Sequence, residues 1–539
     1  MDVRLLLAVL FLACSYCYEL PDAKPSKILA FLPTETRSHF NGFKQLLQAL
    51  VARGHDLTLV SPYPLDSTGE DGSILSYKHV RVETINNPTG VKHLNKNSLT
   101  NILPPYLYIL WLGPFITRKA LEKRVVKEFI LHDRSSFDLV IVENFFHECF
   151  VVLGHKYGAP VVQLLPFNTN PRVSQWHGNP YDPSYLADIT APYAAPMTFW
   201  QRTENTVAAL FNTLVNRLVY LPQQRKIMNE YFAYAGHEQR PDLETMLRNV
   251  SLTLINSHPL MSPVAPFVPS YVQVAGMHIK PAKSLPEDIK RVMDTAVHGV
   301  VYFSLGSVIK SSEMPRETVK LLLSKLANIK QTVLWKWEDD QLPDLPKNVI
   351  VRKWFPQNDI LNHPNCRLFI THGGIHSVIE SVYHGVPMLS IPVFGDQTHN
   401  SVEAAHRGFA LYVPYFKLTA EEFDRKLQQI LGDARFGEAA RKASSIMKDN
   451  PISILDRAVF WIEYVLRHEG APHLRTAATD LYWFQYYLLD VIAALSVAIG
   501  FVVYLNCKFV LYLLKKLCRA TAVKSTAMNK SAIKKKKRQ

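Results

Sequence analysis

Cysteine is scarce. Of six in 539 residues, Cys14 and Cys17 lie near one end, Cys507 and Cys518 near the other, and only Cys149 and Cys366 fall between. No disulfide framework can hold such a fold, even in an oxidising compartment. Acidic residues are missing from one region. From Lys508 onward eleven lysines and arginines meet no aspartate or glutamate, so the rest of the chain carries only +3 of the formal +14. The body nowhere interleaves basic with aromatic residues, which argues against a nucleic-acid surface. No segment repeats at a fixed period. Charged residues are 20% against 48% hydrophobic, which excludes a disordered chain. The length exceeds one ordinary core and fits two domains of about 200 residues plus extras.

Two stretches concern a membrane. Residues Met1 to about Cys17 combine Arg4, an apolar run from Leu5 to Ala13 and small residues near a cleavage point, as a secretory signal peptide does. Val491 to Leu505 is uninterrupted apolar or small sequence, and it reaches spanning length when extended to Tyr486 or Leu514. Lysines follow it, so the positive-inside rule puts the tail in the cytoplasm and the body in the lumen. The ending Lys536-Lys537-Arg538-Gln539 resembles a dilysine endoplasmic-reticulum retrieval signal; a basic stop-transfer flank reads the same way. A further stretch, Ile102 to Ile116 (ILPPYLYILWLGPFI), is too short and proline-broken to span. It reads as domain core, as the wall of a lipophilic pocket, or as a surface resting on a membrane.

The body alternates strands and helices. Lys27 to Leu32 predicts a strand, and a helix with Phe40, Phe43, Leu47, Leu50 and Val51 on its apolar side follows, with Leu57 to Val60 as the next strand. His39 therefore stands past a strand's carboxyl end at the start of a helix, where an imidazole could take a proton near neutrality, cap the helix or face solvent. Phe137 to Glu143 is another strand ending in an acid, with Asp138 at its opposite end. Ala159 to Leu164 and Leu252 to Ile255 are strands, Pro192 to Phe199 a loop, and Ala208 to Gly236 mostly helical. Asn249-Val250-Ser251 is a glycosylation sequon close to a strand. Proline-rich residues 258–286 form a linker. Strands then recur at Val300 to Phe303, Gln331 to Trp337 and Val349 to Val351, with Trp335 and Trp337 packing on one face. Past residue 420, Glu421 to Leu431, Ala439 to Asp449 and Ile454 to His468 are helices, the last with Phe460, Ile462, Tyr464 and Leu466 available for packing.

The most informative stretch is Trp354 to Asn400. Arg367 to Ile370 ends a strand, Thr371-His372-Gly373-Gly374 is a tight turn, and Ile375 to His384 is a helix. Helix N-termini offer unpaired amides and a partial positive charge, and two glycines let a diphosphate approach that backbone. After a second strand, Met388 to Ile391, a loop delivers Asp396 and Gln397, which can hold the vicinal hydroxyls of a sugar by accepting and donating hydrogen bonds. Both loops lie at strand carboxyl ends, where ligands of an open α/β sheet gather. A metal reading of His363, Cys366, His372, His376 and Glu380 is weaker, because finger-type zinc spacing needs a second close cysteine.

This stretch, with Phe303-Ser304-Leu305-Gly306-Ser307, closely resembles the signature of the UDP-glycosyltransferases, which move a sugar from a uridine-diphosphate donor to small lipophilic acceptors. The resemblance implies two facing Rossmann-like domains of GT-B type with a C-terminal transmembrane helix. It implies Trp354 on the uracil, Gln357 on the nucleoside, Glu380 on the ribose, Asp396 with Gln397 on the sugar, and His372 and Ser307 at the diphosphate, with Gly373, Gly374, His376 and Ser377 also in the donor site. His376 stands where many members have Asn. His39 matches the family's general base, and Glu143 matches the position where many members have the orienting Asp. The C-terminal helix of the family crosses back to the first domain.

The expected layout is a signal peptide (1–17), an acceptor-binding α/β domain (18–257), a linker (258–286) and a UDP-sugar-binding α/β domain (287–450). A return helix with a membrane-proximal segment (451–485), a transmembrane segment (486–514) and a basic cytoplasmic tail (515–539) follow. No tightly bound cofactor or metal is expected, only UDP-sugar as co-substrate. The partners are a UDP-sugar, a small lipophilic acceptor and a lipid membrane, with no nucleic acid; self-association stays open. The signature is similar to that of invertebrate members, which favours glucose over glucuronic acid or galactose. The acceptor could be a steroid, a plant phenolic or another lipophile. Two readings from other classes are a membrane-tethered binder of UDP-sugar or lipophile without turnover and a single-spanning receptor whose cytoplasmic part is only a basic tail.

Overall fold

The computed structural model describes residues 24–69, 72–84, 94, 95, 97, 105–339, 342 and 344–537. The expected signal peptide lies outside the described residues, as do residues 102–104 and the last two residues of the dilysine stretch.

Two parallel sheets form the body. The first runs β3-β2-β1-β4-β5-β6-β7, from β1 (Lys27–Phe31), β2 (Asp56–Ser61), β3 (Lys78–Arg81), β4 (Leu139–Glu143), β5 (Val161–Leu165), β6 (Leu252–Ile255) and β7 (Tyr271–Gln273). The second runs β10-β9-β8-β11-β12-β13, from β8 (Val300–Ser304), β9 (Thr332–Lys336), β10 (Val349–Arg352), β11 (Cys366–Thr371), β12 (Met388–Ser390) and β13 (Ala410–Tyr412). Central strands such as LVIVE and VVYFS are buried along their whole length, as parallel strands covered on both faces must be. Pleating sends Ile28 and Ala30 into one core layer and Leu29 and Phe31 into the layer on the other face. Strand order reverses between β1 and β4, and again between β8 and β11. Ligands of doubly wound sheets bind at such switch points, so each sheet directs its β1/β4 or β8/β11 loops at a site.

The helix after β1, α1 (Arg37–Ala52), follows from apolar residues at three- and four-residue spacing: Phe40, Phe43, Leu47, Leu50 and Val51 are all buried. It ends where Gly54 takes a φ of 87°, a left-handed conformation costly to any side chain. The segment that begins at Ile102 contains a helix, α2 (Pro105–Leu121), which continues through Pro114. It is not simply core, since Leu107 and Trp111 are exposed.

The proline-rich stretch 258–286 differs from the expected linker. It contains β7, whose Leu254↔Val272 register adds the last strand to the first sheet. Three residues are too few to show a period, and prolines on both sides mask them. In the second sheet, α3 (Gln357–Asn362), α4 (Ile375–His384) and α5 (Gln397–His406) follow β10, β11 and β12. After α6 (Ala434–Lys448), helix α7 (Ile454–Arg467) returns to the first sheet, its Arg53–Glu463 contact measuring 3.4 Å against α1. The face it buries is Ala458, Val459, Ile462 and Val465, with Tyr464 and Leu466 at the margin and Phe460 outside the cluster. Ala458, Val459, Ile462 and Val465 recur at three- and four-residue spacing, which puts them on one face of α7 and leaves Phe460 off it.

Separately, α8 (Leu489–Lys536) is one unbroken helix of 48 residues, long and apolar enough to cross a membrane, with the basic tail continuing in the same helix. It is consistent with a single C-terminal anchor of type I orientation.

Candidate functional site

The carboxyl ends of both sheets open on one cleft of about 1150 Å³. From the first sheet, Thr34 and His39 after β1, Phe145 and Phe146 after β4 and Phe167 after β5 line it; α2 adds Tyr108, Leu112 and Ile116. From the second come Ser307, Trp354, Gln357, His372, Gly374, His376, Ser377, Glu380, Asp396 and Gln397. Glu143 and Gly373 sit just behind the wall. Asn249 stands apart, exposed at the end of a short helix, while Ser251 N donates to Val161 O at 2.9 Å.

His39 Nδ1 and Glu143 Oε1 are 2.6 Å apart, and Thr34 Oγ1 donates to Glu143 Oε2 at 2.8 Å. Both partners are buried, 6% and 2% exposed. Burial alone would raise the Glu143 pKa; the His39 imidazole, His147 and the Thr34 hydroxyl outweigh it and hold the carboxyl below its usual range. The longer Glu side chain still reaches, because β1 and β4 are direct neighbours with Phe31 opposite Val142. Phe145 and Phe167 meet the His39 ring edge-on, at 4.5 Å and 5.2 Å, and fix its plane. Asp138, at the other end of β4, accepts instead from Lys27 N at 2.7 Å.

Across the cleft, His372 fits because two side chains are missing. A Cβ on Gly306 would stand 2.6 Å from its Cε1, and one on Gly374 would strike its Nε2. Gly373, with φ 80°, is needed for a different reason: its own Cβ would strike Ser401 Oγ. Burial and then Lys336 push the His372 pKa down to about 4, so the ring is neutral near pH 7 and offers a hydrogen bond without a charge. The nearby cation is Lys336, whose Nζ donates to Gly306 O at 2.6 Å and lies 5.9 Å from the Trp354 ring centre. Lys336 ends β9, so the strand-end rule that singled out the other residues would have found it. The first turn of α4 closes with Val378 N donating to Gly374 O at 3.1 Å; the amides of Ile375, His376 and Ser377 precede that closure and are open to an anion.

Trp354 is 68% exposed, in contrast to the fully buried Trp335, so its ring is a wall of the cleft and not core. Gln357 Nε2 donates to Glu380 Oε2 at 2.8 Å, while His278 Nε2 faces Glu380 Oε1 at 3.6 Å. His278 comes from the stretch read as linker and was missed for that reason. Asp396 and Gln397 are not in an open loop: Asp396 is the N-cap residue of α5 and Gln397 its first residue. Gln397 Oε1 accepts from Val393 N at 2.9 Å and Phe394 N at 3.2 Å, leaving its amide nitrogen as the free donor. Asp396 accepts from Asn400 at 2.7 Å, yet burial raises its pKa above the usual value. His376 packs its ring against Gly42 of α1, where a Cβ would strike Nε2, and stacks edge-on at 4.9 Å with His278. Burial, followed by His278, His39 and His372, holds its pKa well below the usual imidazole value. Among the described residues, no group of three or more His, Cys, Asp or Glu could hold a metal ion; His363 is taken up by Asp294 at 3.1 Å.

Comparison with known proteins gives the site its context. UDP-glycosyltransferase UGT5 of Dactylopius coccus is 35% identical over 475 residues, covering 87% of this chain and 88% of its own length. UDP-glucuronosyltransferase 2B7 of Homo sapiens is 32% identical over 548 residues, covering 96% and 98%. Among solved structures, glycosyltransferase VinC in complex with dTDP superposes with a TM-score of 0.55 at 19% identity, over 82% of this chain and all of that one. A UDP-glucose: anthocyanidin 3-O-glucosyltransferase in complex with UDP gives 0.52 at 17%, over 82% and 99%. These likenesses identify the two-sheet body as a GT-B fold. The family model for UDP-glucoronosyl and UDP-glucosyl transferase matches residues 26–524, which takes in both sheets and the apolar helix. The chain therefore belongs to that family, whose members carry out UDP-sugar-dependent glycosyl transfer to a small acceptor.

Proposed function

We propose that the chain transfers glucose from UDP-glucose to a hydroxyl of a small lipophilic acceptor, with inversion at the anomeric carbon. The observation that carries this reading is the buried His39–Glu143 pair on the wall opposite the helix mouth at Gly374. His39, oriented by Glu143, takes the acceptor's hydroxyl proton; the oxygen attacks the anomeric carbon from the side opposite the departing UDP. Negative charge grows on the leaving diphosphate. The amides of Ile375 to Ser377, neutral His372, Ser307 and the Lys336 cation meet it, and one such preorganised donor is worth about 10²–10³ in rate. Trp354 stacks on the uracil, and Gln357 contacts the nucleoside. Glu380 holds the ribose, and Asp396 accepts from sugar hydroxyls while the Gln397 amide donates to one. Tyr108, Leu112, Ile116 and Phe146 supply an apolar acceptor wall. The body is lumenal in the endoplasmic reticulum and the basic tail cytoplasmic.

Microsomes from cells expressing the chain, given phenols and steroids with UDP-glucose, UDP-glucuronic acid or UDP-galactose in separate reactions, test this by product mass. A hexose adduct from UDP-glucose alone is the expected result. A uronic-acid adduct overturns the choice of sugar, and bound donor with no product from any arm favours a tethered binder.

A further inference from the structure

Just past β4 the backbone takes a step that neither sheet nor helix requires. Neighbouring residues of an extended chain face opposite sides, yet Phe145 and Phe146 both line the cleft. The step lies at Phe146, whose φ of 61° is in the left-handed region. For a bulky side chain that conformation is costly, and it persists only where the surroundings over-determine it. Among the described residues, the other non-glycine positions of this kind, Asp344, Glu469, Ala471 and Leu488, do not line the cleft.

Three buried side chains from other elements converge on the Phe146 carbonyl: Tyr220 Oη at 2.8 Å, Gln224 Nε2 at 2.9 Å and Thr117 Oγ1 of α2 at 3.0 Å. Gln224 Nε2 also donates to Tyr220 Oη at 3.2 Å, and Tyr220 Oη lies 3.0 Å from Glu148 Oε2. One phenol proton and two amide protons thus supply Phe146 O, Tyr220 Oη and Glu148. Arg172 pairs with Glu148 and lays its guanidinium 4.6 Å from the centre of the Phe146 ring. Helix α2 comes so near that a Cβ on Gly113 would stand 2.7 Å from Tyr220 Oη and 2.9 Å from Phe146 Cβ. None of the side chains that hold Phe146 lines the cleft. Buried polar groups are expensive unless each is partnered, and what this cluster delivers to the site is the place of one ring. That ring meets Phe145 at 4.6 Å, and Phe145 meets His39 at 4.5 Å, so a single turn sets both the plane of the base and the wall beside it.

We propose that Phe146 orients the acceptor and so selects which of several hydroxyls faces His39, and that Thr117, Tyr220, Gln224 and the Glu148–Arg172 pair are positioning residues acting through it. A ring held by its backbone does not yield when an acceptor pivots, and near-attack geometry at one hydroxyl excludes its neighbours on the same planar molecule. The selection of a hydroxyl rests on His39 as the base, as proposed above; the contact of the acceptor with Phe146 does not.

The test uses the purified full chain in detergent, with the flavonol quercetin as a planar acceptor bearing several hydroxyls and the UDP-sugar that wild type turns over fastest; product isomers are separated by chromatography. Wild type makes one isomer in excess. Phe146→Gly, which relaxes the backbone and removes the ring, lowers that excess about tenfold or more, while calorimetric UDP binding is unchanged. Phe146→Asn, also tolerant of left-handed backbone, does the same, and Phe146→Tyr keeps the ring and the isomer ratio. Tyr220→Phe shifts the ratio partway in the wild-type chain and not at all in the Phe146→Gly background. An unchanged ratio in both Phe146→Gly and Phe146→Asn overturns the proposal, and an equal Tyr220→Phe shift in the two backgrounds overturns the positioning role. Quercetin binding, read in the presence of UDP by quenching of tryptophan fluorescence, separates this from the base assignment: it weakens about tenfold in Phe146→Gly and holds in His39→Ala, and equal binding to Phe146→Gly and wild type overturns the contact.

Discussion

The turn after β1 and the turn after β11 are the same piece of architecture used twice. Each leaves a buried parallel strand at a switch point, and each places a histidine at or near the start of a helix. His39 meets a carboxylate, in a cage of Phe145 and Phe167. His372 meets two glycines, a lysine and a helix mouth, and its ring is held neutral down to about pH 4. Topology sets where each imidazole stands; its surroundings, a carboxylate for His39 and burial with a lysine for His372, set what it can offer a ligand.

Removing each histidine's setting should break that comparison in distinct ways. The largest effect belongs to His39→Ala, expected to lower kcat by about 10²–10⁴ with UDP affinity intact; calorimetric UDP binding beside turnover separates the two, and unchanged turnover would defeat the base assignment. Next is Gly42→Ala, which drives a methyl into the His376 ring and should lower kcat roughly ten- to hundredfold. That cost should vanish when measured in a His376→Ser background, a coupling read by a double-mutant cycle. On the donor side, Glu380→Gln should raise the KM for UDP-sugar roughly tenfold while kcat holds, since only binding of the donor changes.

The smallest effect is on stability against pH. His177 in the first half and His372 in the second are both held to about 4 by burial, whereas an unfolded histidine titrates near 6.5. Between those values the unfolded chain binds protons that the fold does not, so stability falls as pH drops from about 6.5 toward 4. His177→Gln, which keeps a hydrogen-bonding group beside Thr253 Oγ1 (2.8 Å from Nε2 in the native chain), should flatten the drop in thermal midpoint over that window without touching kcat.

The contrast also shows what a sequence makes legible. Phe40 to Val51 was readable because its apolar residues recur with the helical period, and Val300 to Ser304 because it is a short unbroken apolar run. The cleft residues from Trp354 to Gln397 were readable because their chemistry and their turns coincide. Three features were not. β7 is three residues between prolines, with no period to read. Lys336 was passed over although it stands at the end of β9; only Gly306 O and Trp354 beside it show which ligand a strand-end cation there faces. Gly42 lies mid-helix, and the reason for its bareness is a histidine 334 positions away, a relation no local pattern carries.

The chain crosses between the two halves twice, once from β7 toward β8 and once from α6 to α7. Two crossings define an axis, and a body joined at two points can swing about it but cannot swivel freely. Any relative motion of the halves is limited to rotation about that axis, and a nick in the second crossing would leave a single covalent link between them.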